Sequence, residues 1–159
     1  MNKRKIIVAV IVLLIDQITK VLAESLTSDI TIIPGYFSLS YAQNTGAAWS
    51  FLSGKVTFLI LLTIVMLLLV YKLSHSFKDN KINDIAFGLL YGGILGNLID
   101  RTFFGYVRDF ISVRIINYNF PIFNIADSAI VIAVLFLIYD TLFGGNKDDS
   151  SSRRRKKNW

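Results

Sequence analysis

The chain has 159 residues, 53% of them hydrophobic and 18% charged, with 17 Lys+Arg against 11 Asp+Glu for a formal net charge of +6. An average soluble domain carries roughly 25% charged residues, so an ordinary soluble enzyme, a disordered chain and a basic nucleic-acid-binding protein all fit poorly. There is no cysteine and one histidine, His75, which excludes disulfides, thiolate metal sites and a Cys nucleophile, disfavours a His-based zinc site or Ser-His triad, and leaves hydrolytic chemistry to carboxylates.

A helix needs about 20 mostly apolar residues to cross the hydrocarbon core. Four such segments are expected, over residues 6–22, 56–73, 82–99 and 125–143. The first follows Lys3-Arg4-Lys5, a pattern shared with secretory signal peptides. Asp16 and Lys20 lie beyond its apolar run, one helical turn apart, where a signal peptide is neutral; the charge cost favours a retained spanning helix. Asp16 is about 15 Å along the helix from Ile6, near mid-membrane. The pair reads equally well as an i, i+4 ion pair or as part of a site.

The loop after the first span, residues 23–55, holds the turn signal Pro34-Gly35 and then Phe37, Leu39 and Tyr41 alternating with Ser38 and Ser40, which predicts a strand. The third span carries Gly88, Gly92, Gly96 and Asp100 at steps of four, beside Gly93, Asn97 and Arg101. Small residues at that spacing let helix backbones approach closely. The polar row then faces the bundle interior, where Asn97 and Arg101 are placed to donate hydrogen bonds to carboxylates or a substrate carbonyl. The second long loop, residues 100–123, contains Asp109 and a weaker strand signal from Phe110 to Ile115. Both loops are rich in aromatics, including Tyr36, Trp49, Phe51, Phe104, Tyr106 and Phe120; an interfacial belt and an amphipathic platform for a lipid-bearing substrate are both consistent with them. The fourth span begins at Asn124 and Asp127, spaced as an N-cap and a first-turn acid.

Lys3, Arg4, Lys5, Lys72, Lys78, Lys81 and the tail's Lys147, Arg153, Arg154, Arg155, Lys156 and Lys157 fall on one side of a four-span arrangement. The positive-inside rule makes that side the cytoplasm, with both termini there and the two long loops outside. Residues 1–145 then form one integral-membrane domain. Residues 146–159 form a basic tail, expected to be disordered near anionic headgroups. On spacing alone, Asp109 and Asp127 are two carboxylates on the outer side, each with a plain structural explanation as well. As a pair they suit peptide hydrolysis, because two close carboxylates share one proton: the ionised member takes a proton from water and the protonated member polarises the carbonyl.

Five blocks in order, Asp16-Gln17-Ile18-Thr19-Lys20, Gln43-Asn44-Thr45-Gly46-Ala47-Ala48-Trp49-Ser50, Gly93-Ile94-Leu95-Gly96-Asn97-Leu98-Ile99-Asp100-Arg101, Val107-Arg108-Asp109-Phe110 and Phe123-Asn124-Ile125-Ala126-Asp127, make the chain resemble the bacterial lipoprotein (prolipoprotein) signal peptidases, the type II signal peptidases. The resemblance spans about residues 6–143. It implies an all-α, four-helix membrane aspartic endopeptidase with a small extracytoplasmic β-like cradle, in the cytoplasmic (inner) membrane with its site toward the outer face. It implies cleavage just before the diacylglyceryl-modified cysteine of a prolipoprotein, with Asp109 and Asp127 as catalytic dyad. Asn44, Gly46, Asn97, Arg101 and Asn124 match positions supporting substrate and site, and Asp16 and Lys20 match structural or supporting positions. It further implies no metal and no cofactor, surrounding phospholipid and a monomer, no nucleic-acid partner, and inhibition by globomycin-type peptides. Arg108 departs from the apolar residue usual there and is expected to lower the dyad pKa values. The competing readings are a small ion- or proton-coupled transporter, since intramembrane Asp, Asn and Arg also mark ion pathways, and a scaffold built on the glycine row.

Overall fold

The computed structural model describes residues 2–46 and 52–143. Trp49, Phe51, the Ala47–Ser50 end of the second motif and the basic tail lie outside the described residues. Four helices run over α1 (Lys3–Glu24), α2 (Val56–Ser76), α3 (Lys81–Phe103) and α4 (Ile125–Phe143), each long and apolar enough to cross a membrane. The expected spans are recovered, α1 and α3 extending beyond them at both ends. Between them lie β1 (Ile30–Ile33), β2 (Phe37–Asn44), β3 (Val107–Ile115) and β4 (Tyr118–Asn119), an antiparallel sheet in the order β1-β2-β3-β4. The two inner strands contain the predicted segments; β1 and β4 were not legible.

Helix α3 is the hub. Its glycines set how closely α1 and α4 approach, since a Cβ on Gly96 would sit 2.5 Å from Asp16 Oδ2, and one on Gly93 would sit 2.5 Å from the Ala126 carbonyl oxygen. Gly88 and Gly92 lie against Lys5, Val8, Ala9 and Val12 of α1, so the row at spacing four is the α1 seam and Gly93 begins the α4 seam. The apolar cluster of Ala9, Val70, Phe87, Leu90, Tyr91, Ile94 and Ala133 joins all four helices. The remaining apolar faces of α1, α2 and α4 are exposed, as lipid-facing surfaces are.

Polar pairing closes one end of the bundle. Asn2 and Asn80 accept from backbone N–H groups as N-caps of α1 and α3. Asn80 and Asn83 donate to Asp140 of α4 at 3.0 and 2.8 Å, and Arg4 pairs with Asp84 at 2.9 Å. The sheet sits at the opposite end, where Asp100, Asn97 and Arg101 emerge from α3.

Register within the sheet decides which side chains reach that end. Leu39 lies opposite Ile111, but Ala42 lies opposite Asp109, so three steps along β2 match two along β3. This bulge inserts one residue and reverses the alternation that the sequence shows through Phe37, Leu39 and Tyr41. Without it, Gln43 would follow Tyr41 onto the Asp109 face; with it, Asn44 does.

Candidate active site

Asp109 and Asp127 come together through Asn124. Backbone bonds from Phe110 and Ile111 N–H to the Phe123 carbonyl, at 3.0 and 2.7 Å, pin the residue before Asn124 to β3. Asn124 then donates from Nδ2 to Asp109 Oδ1 at 2.7 Å. Its Oδ1 accepts the Asp127 N–H at 3.0 Å, and its own N–H donates to Asp127 Oδ2 at 3.2 Å. That reciprocal pair is the capping arrangement read from the spacing. The two carboxylates are thus held one on each side of a single asparagine, Asp109 buried and Asp127 half-buried.

Each carboxylate oxygen receives an N–H. Asn44 Nδ2 donates to Asp109 Oδ2 at 2.9 Å, its amide oriented by the Gly46 N–H on its Oδ1 at 2.9 Å. Asn97 Nδ2 donates to Asp127 Oδ1 at 2.8 Å. Arg101 donates from Nη2 to the Gly46 carbonyl at 3.0 Å, while its buried Nε has no acceptor among the described residues. Burial first, then the charge of Asp127, pushes the Asp109 carboxyl up from 3.8 to about 7; the bonds from Asn44 and Asn124 and the charge of Lys20 oppose the rise.

Beneath the pair lies a charged cluster. Lys20 and Asp16 form the i, i+4 ion pair at 2.8 Å, and Lys20 also faces Asp100 at 3.4 Å, all three fully buried. Asp16 Oδ1 accepts the Ala126 N–H at 2.9 Å, so α1 caps the helix that carries Asp127. Gln17 donates to Asp16, to the Gly96 carbonyl and to Asp100. The Arg108 guanidinium turns to Asp100, with Nη2–Oδ1 at 2.8 Å, and to Gln17 and Glu24. Its charge is therefore paired with Asp100, away from the dyad; Lys20 acts to lower Asp109, and the Arg101 charge also faces both carboxylates. The expectation that Arg108 lowers the dyad values gives way to this pairing.

All nine residues singled out in the sequence gather here: Asp16, Lys20, Asn44, Gly46, Asn97, Arg101, Asp109, Asn124 and Asp127. Gln17, Asp100 and Arg108 belong to the same network and were not assigned to it. The signal for Asp100 is that it continues the Gly88, Gly92, Gly96 row and so shares the close-packed face of α3, which the structure sets against α1. Among the described residues no three His, Cys, Asp or Glu are grouped to hold a metal ion.

A family model described as signal peptidase (SPase) II matches residues 8–143. The lipoprotein signal peptidase of Staphylococcus carnosus is 42% identical over 144 residues, covering 88% of this chain and 91% of that protein. That of Staphylococcus haemolyticus is 42% identical over 145 residues, covering 89% and 92%. A solved bacterial membrane enzyme superposes with a TM-score of 0.79 at 38% identity, covering 91% of this chain and 90% of the other. A second does so with 0.76 at 39%, covering 87% and 92%. With its fold, the residues that cluster at one end of its bundle and its matched length all in agreement, the chain belongs to the signal peptidase II family of membrane proteases.

Proposed function

We propose that the protein is an aspartic endopeptidase that cleaves diacylglyceryl-modified prolipoproteins just before the lipidated cysteine, with Asp109 and Asp127 as its catalytic dyad. The observation that carries this reading is the bridging of both carboxylates by Asn124, with N–H donors on all four oxygens. Donors of that kind hold a shared negative charge in place and leave the remaining lone pairs free for a proton and a water.

The roles follow from the environments. Asp109, raised to about 7, is the protonated member near neutral pH. Asp127, in the first turn of α4, is the ionised one, favoured by the helix dipole. Asp127 takes a proton from water as it attacks the scissile carbonyl, and Asp109 gives its proton to the carbonyl oxygen. Collapse then moves the Asp127 proton to the departing cysteine nitrogen and returns a hydroxyl proton to Asp109. The dyad ends as it began. Arg101 and Asn44, beside the pair, orient the substrate backbone.

The Lys/Arg distribution supports cytoplasmic termini and an outward-facing site in the cytoplasmic membrane. The sheet, in that setting, is a cradle for the substrate at the outer leaflet, and the protein acts as a monomer among phospholipids. Family membership in a protease class removes the support for the transporter and scaffold readings. The test compares wild type, Asp109→Asn and Asp127→Asn in detergent on a lipidated precursor. Cleavage is expected from wild type alone, with equal thermal unfolding in all three. Cleavage surviving in either variant would overturn the dyad.

A further inference from the structure

Lys20 is a fully buried cation whose three donor directions are all taken. Its Nζ lies 2.8 Å from Asp16 Oδ2, 3.4 Å from Asp100 Oδ2 and 3.0 Å from Asn97 Oδ1. Two of these contacts neutralise charge. The third does something else. An ammonium can only donate, so the Asn97 atom facing it has to be the carbonyl oxygen. Asn124 Nδ2 donates to the same oxygen at 3.1 Å. With its oxygen held by two donors, the Asn97 amide has one orientation, and its Nδ2 points at Asp127 Oδ1, 2.8 Å away.

We propose that Lys20 is a positioning residue for the dyad: its ammonium fixes the orientation of the Asn97 amide and thereby keeps an N–H donor, rather than a carbonyl oxygen, against Asp127. The inference rests on the dyad reading above. A reversed amide would set an acceptor lone pair against the carboxylate, which relieves the clash only by holding a proton on Asp127. The general base would then be lost, and the proton would sit on the wrong member of the pair. Lys20 therefore decides which carboxylate is the base without touching substrate.

The charged groups around this chain come from every element packed there: Asp16 from α1, Asp100 and Arg101 from α3, Arg108 and Asp109 from β3, and Asp127 from α4. Arg108 is committed to Asp100, and Arg101 donates to Gly46. Lys20 is the cation with a hydrogen-bonded route to Asp127, and its charge also opposes the rise of Asp109.

A double-mutant cycle with Asn97 tests this on purified protein and a lipidated precursor. Lys20→Met is expected to lower kcat by about tenfold or more with KM changed by less than about threefold, as for an interaction used in the transition state. Its alkaline pH limb should move to higher pH, since a charge favouring ionised Asp109 is gone. In an Asn97→Ala background the same change should cost less than about twofold, because residues acting in one chain are not additive. If Lys20→Met alone does not fold, Asp16→Asn/Lys20→Met, which removes the two charges together and leaves an oxygen for the Ala126 N–H, carries the same cycle. Equal losses in both backgrounds with an unmoved pH limb would overturn the proposal and leave Lys20 a purely structural ion pair. Failure of the dyad itself is separately visible, as cleavage by Asp109→Asn or Asp127→Asn.

Discussion

Replacing Asn44 with alanine removes one N–H from Asp109 and nothing from Asp127. Asn44 Nδ2 sits 2.9 Å from Asp109 Oδ2, a bond that favours the carboxylate over the acid. A hydrogen bond to a charged group contributes about 1.5–3 kcal/mol, and the lower end applies because Asn44 is half-buried. At 1.36 kcal/mol per pKa unit, about one unit is released. On the proposed roles Asp109 must be protonated to polarise the carbonyl, so activity falls as pH rises through its pKa, which is about 7 in the wild type. Asn44→Ala should move that falling limb to higher pH by about one unit. The assay is kcat against pH with a lipidated precursor, from mildly acidic to mildly alkaline conditions. Because Asn44 is also proposed to orient the substrate, the rate itself is expected to drop, and the position of the limb is the diagnostic quantity. A limb that stays put, or moves to lower pH, would refute both the protonated role of Asp109 and the part the β2 bulge plays in aiming Asn44.

Other substitutions probe the frame around the pair. Gly96→Ala would place a methyl 2.5 Å from Asp16 Oδ2 and Gly93→Ala one 2.5 Å from a backbone oxygen; overpacking costs about 1–3 kcal/mol, and the loss of thermal stability in detergent should be larger for Gly93, whose neighbour cannot swing away. Arg108→Met takes the guanidinium from Asp100 but leaves it Lys20 and the residue-108 N–H, so it should cost less than the about 3–5 kcal/mol of a buried charge left unpaired and still shorten the inactivation half-life, while Arg108→Lys should recover part of it. Ile116, at φ +55 and 82% exposed in the two-residue β3–β4 turn, occupies a position suited to glycine; Ile116→Gly should relieve about 1 kcal/mol of backbone strain and slow hydrogen exchange of the hairpin amides without altering cleavage.

The helices and the Asn124–Asp127 cap were legible because each rests on local chemistry. Spans announce themselves by length and apolarity, and Asn124 and Asp127 spell a cap. That α3 packs closely against a neighbour was legible too, from glycines at spacing four, though not that the neighbour is α1. What could not be read was whatever depends on register between distant segments. Nothing around Ser40-Tyr41-Ala42 marks the bulge, so the alternation by itself gives no reason for Asn44 to share a face with Asp109. Strands β1 and β4 are short, and their pairing follows from their partners rather than from their own pattern. Arg108 was misassigned for a related reason: it is next to Asp109 in sequence, yet neighbouring strand residues face opposite sides, and its side chain goes to Asp100 and α1.

The central place of α3 has a consequence for how the protein comes into being. Within its most apolar stretch 67% of the residues are buried, against 28%, 11% and 22% for α1, α2 and α4. Helix α2 can rest in lipid by itself, and α1 carries its own partner for Asp16 in Lys20; α3 cannot do so cheaply, since Asn97, Asp100 and Arg101 would meet hydrocarbon or the headgroup boundary without partners. Its α1 face finds a partner as soon as it is made, because α1 leaves the ribosome first. Its other face, with Gly93 and Asn97, waits for α4, the last helix synthesised and the one that brings Asp127. Insertion of α4 therefore both completes the burial of α3 and brings Asp127 to Asn97. A chain cut short before α4 would leave that face of α3 open and, on the proposed dyad, would be inactive for the same reason.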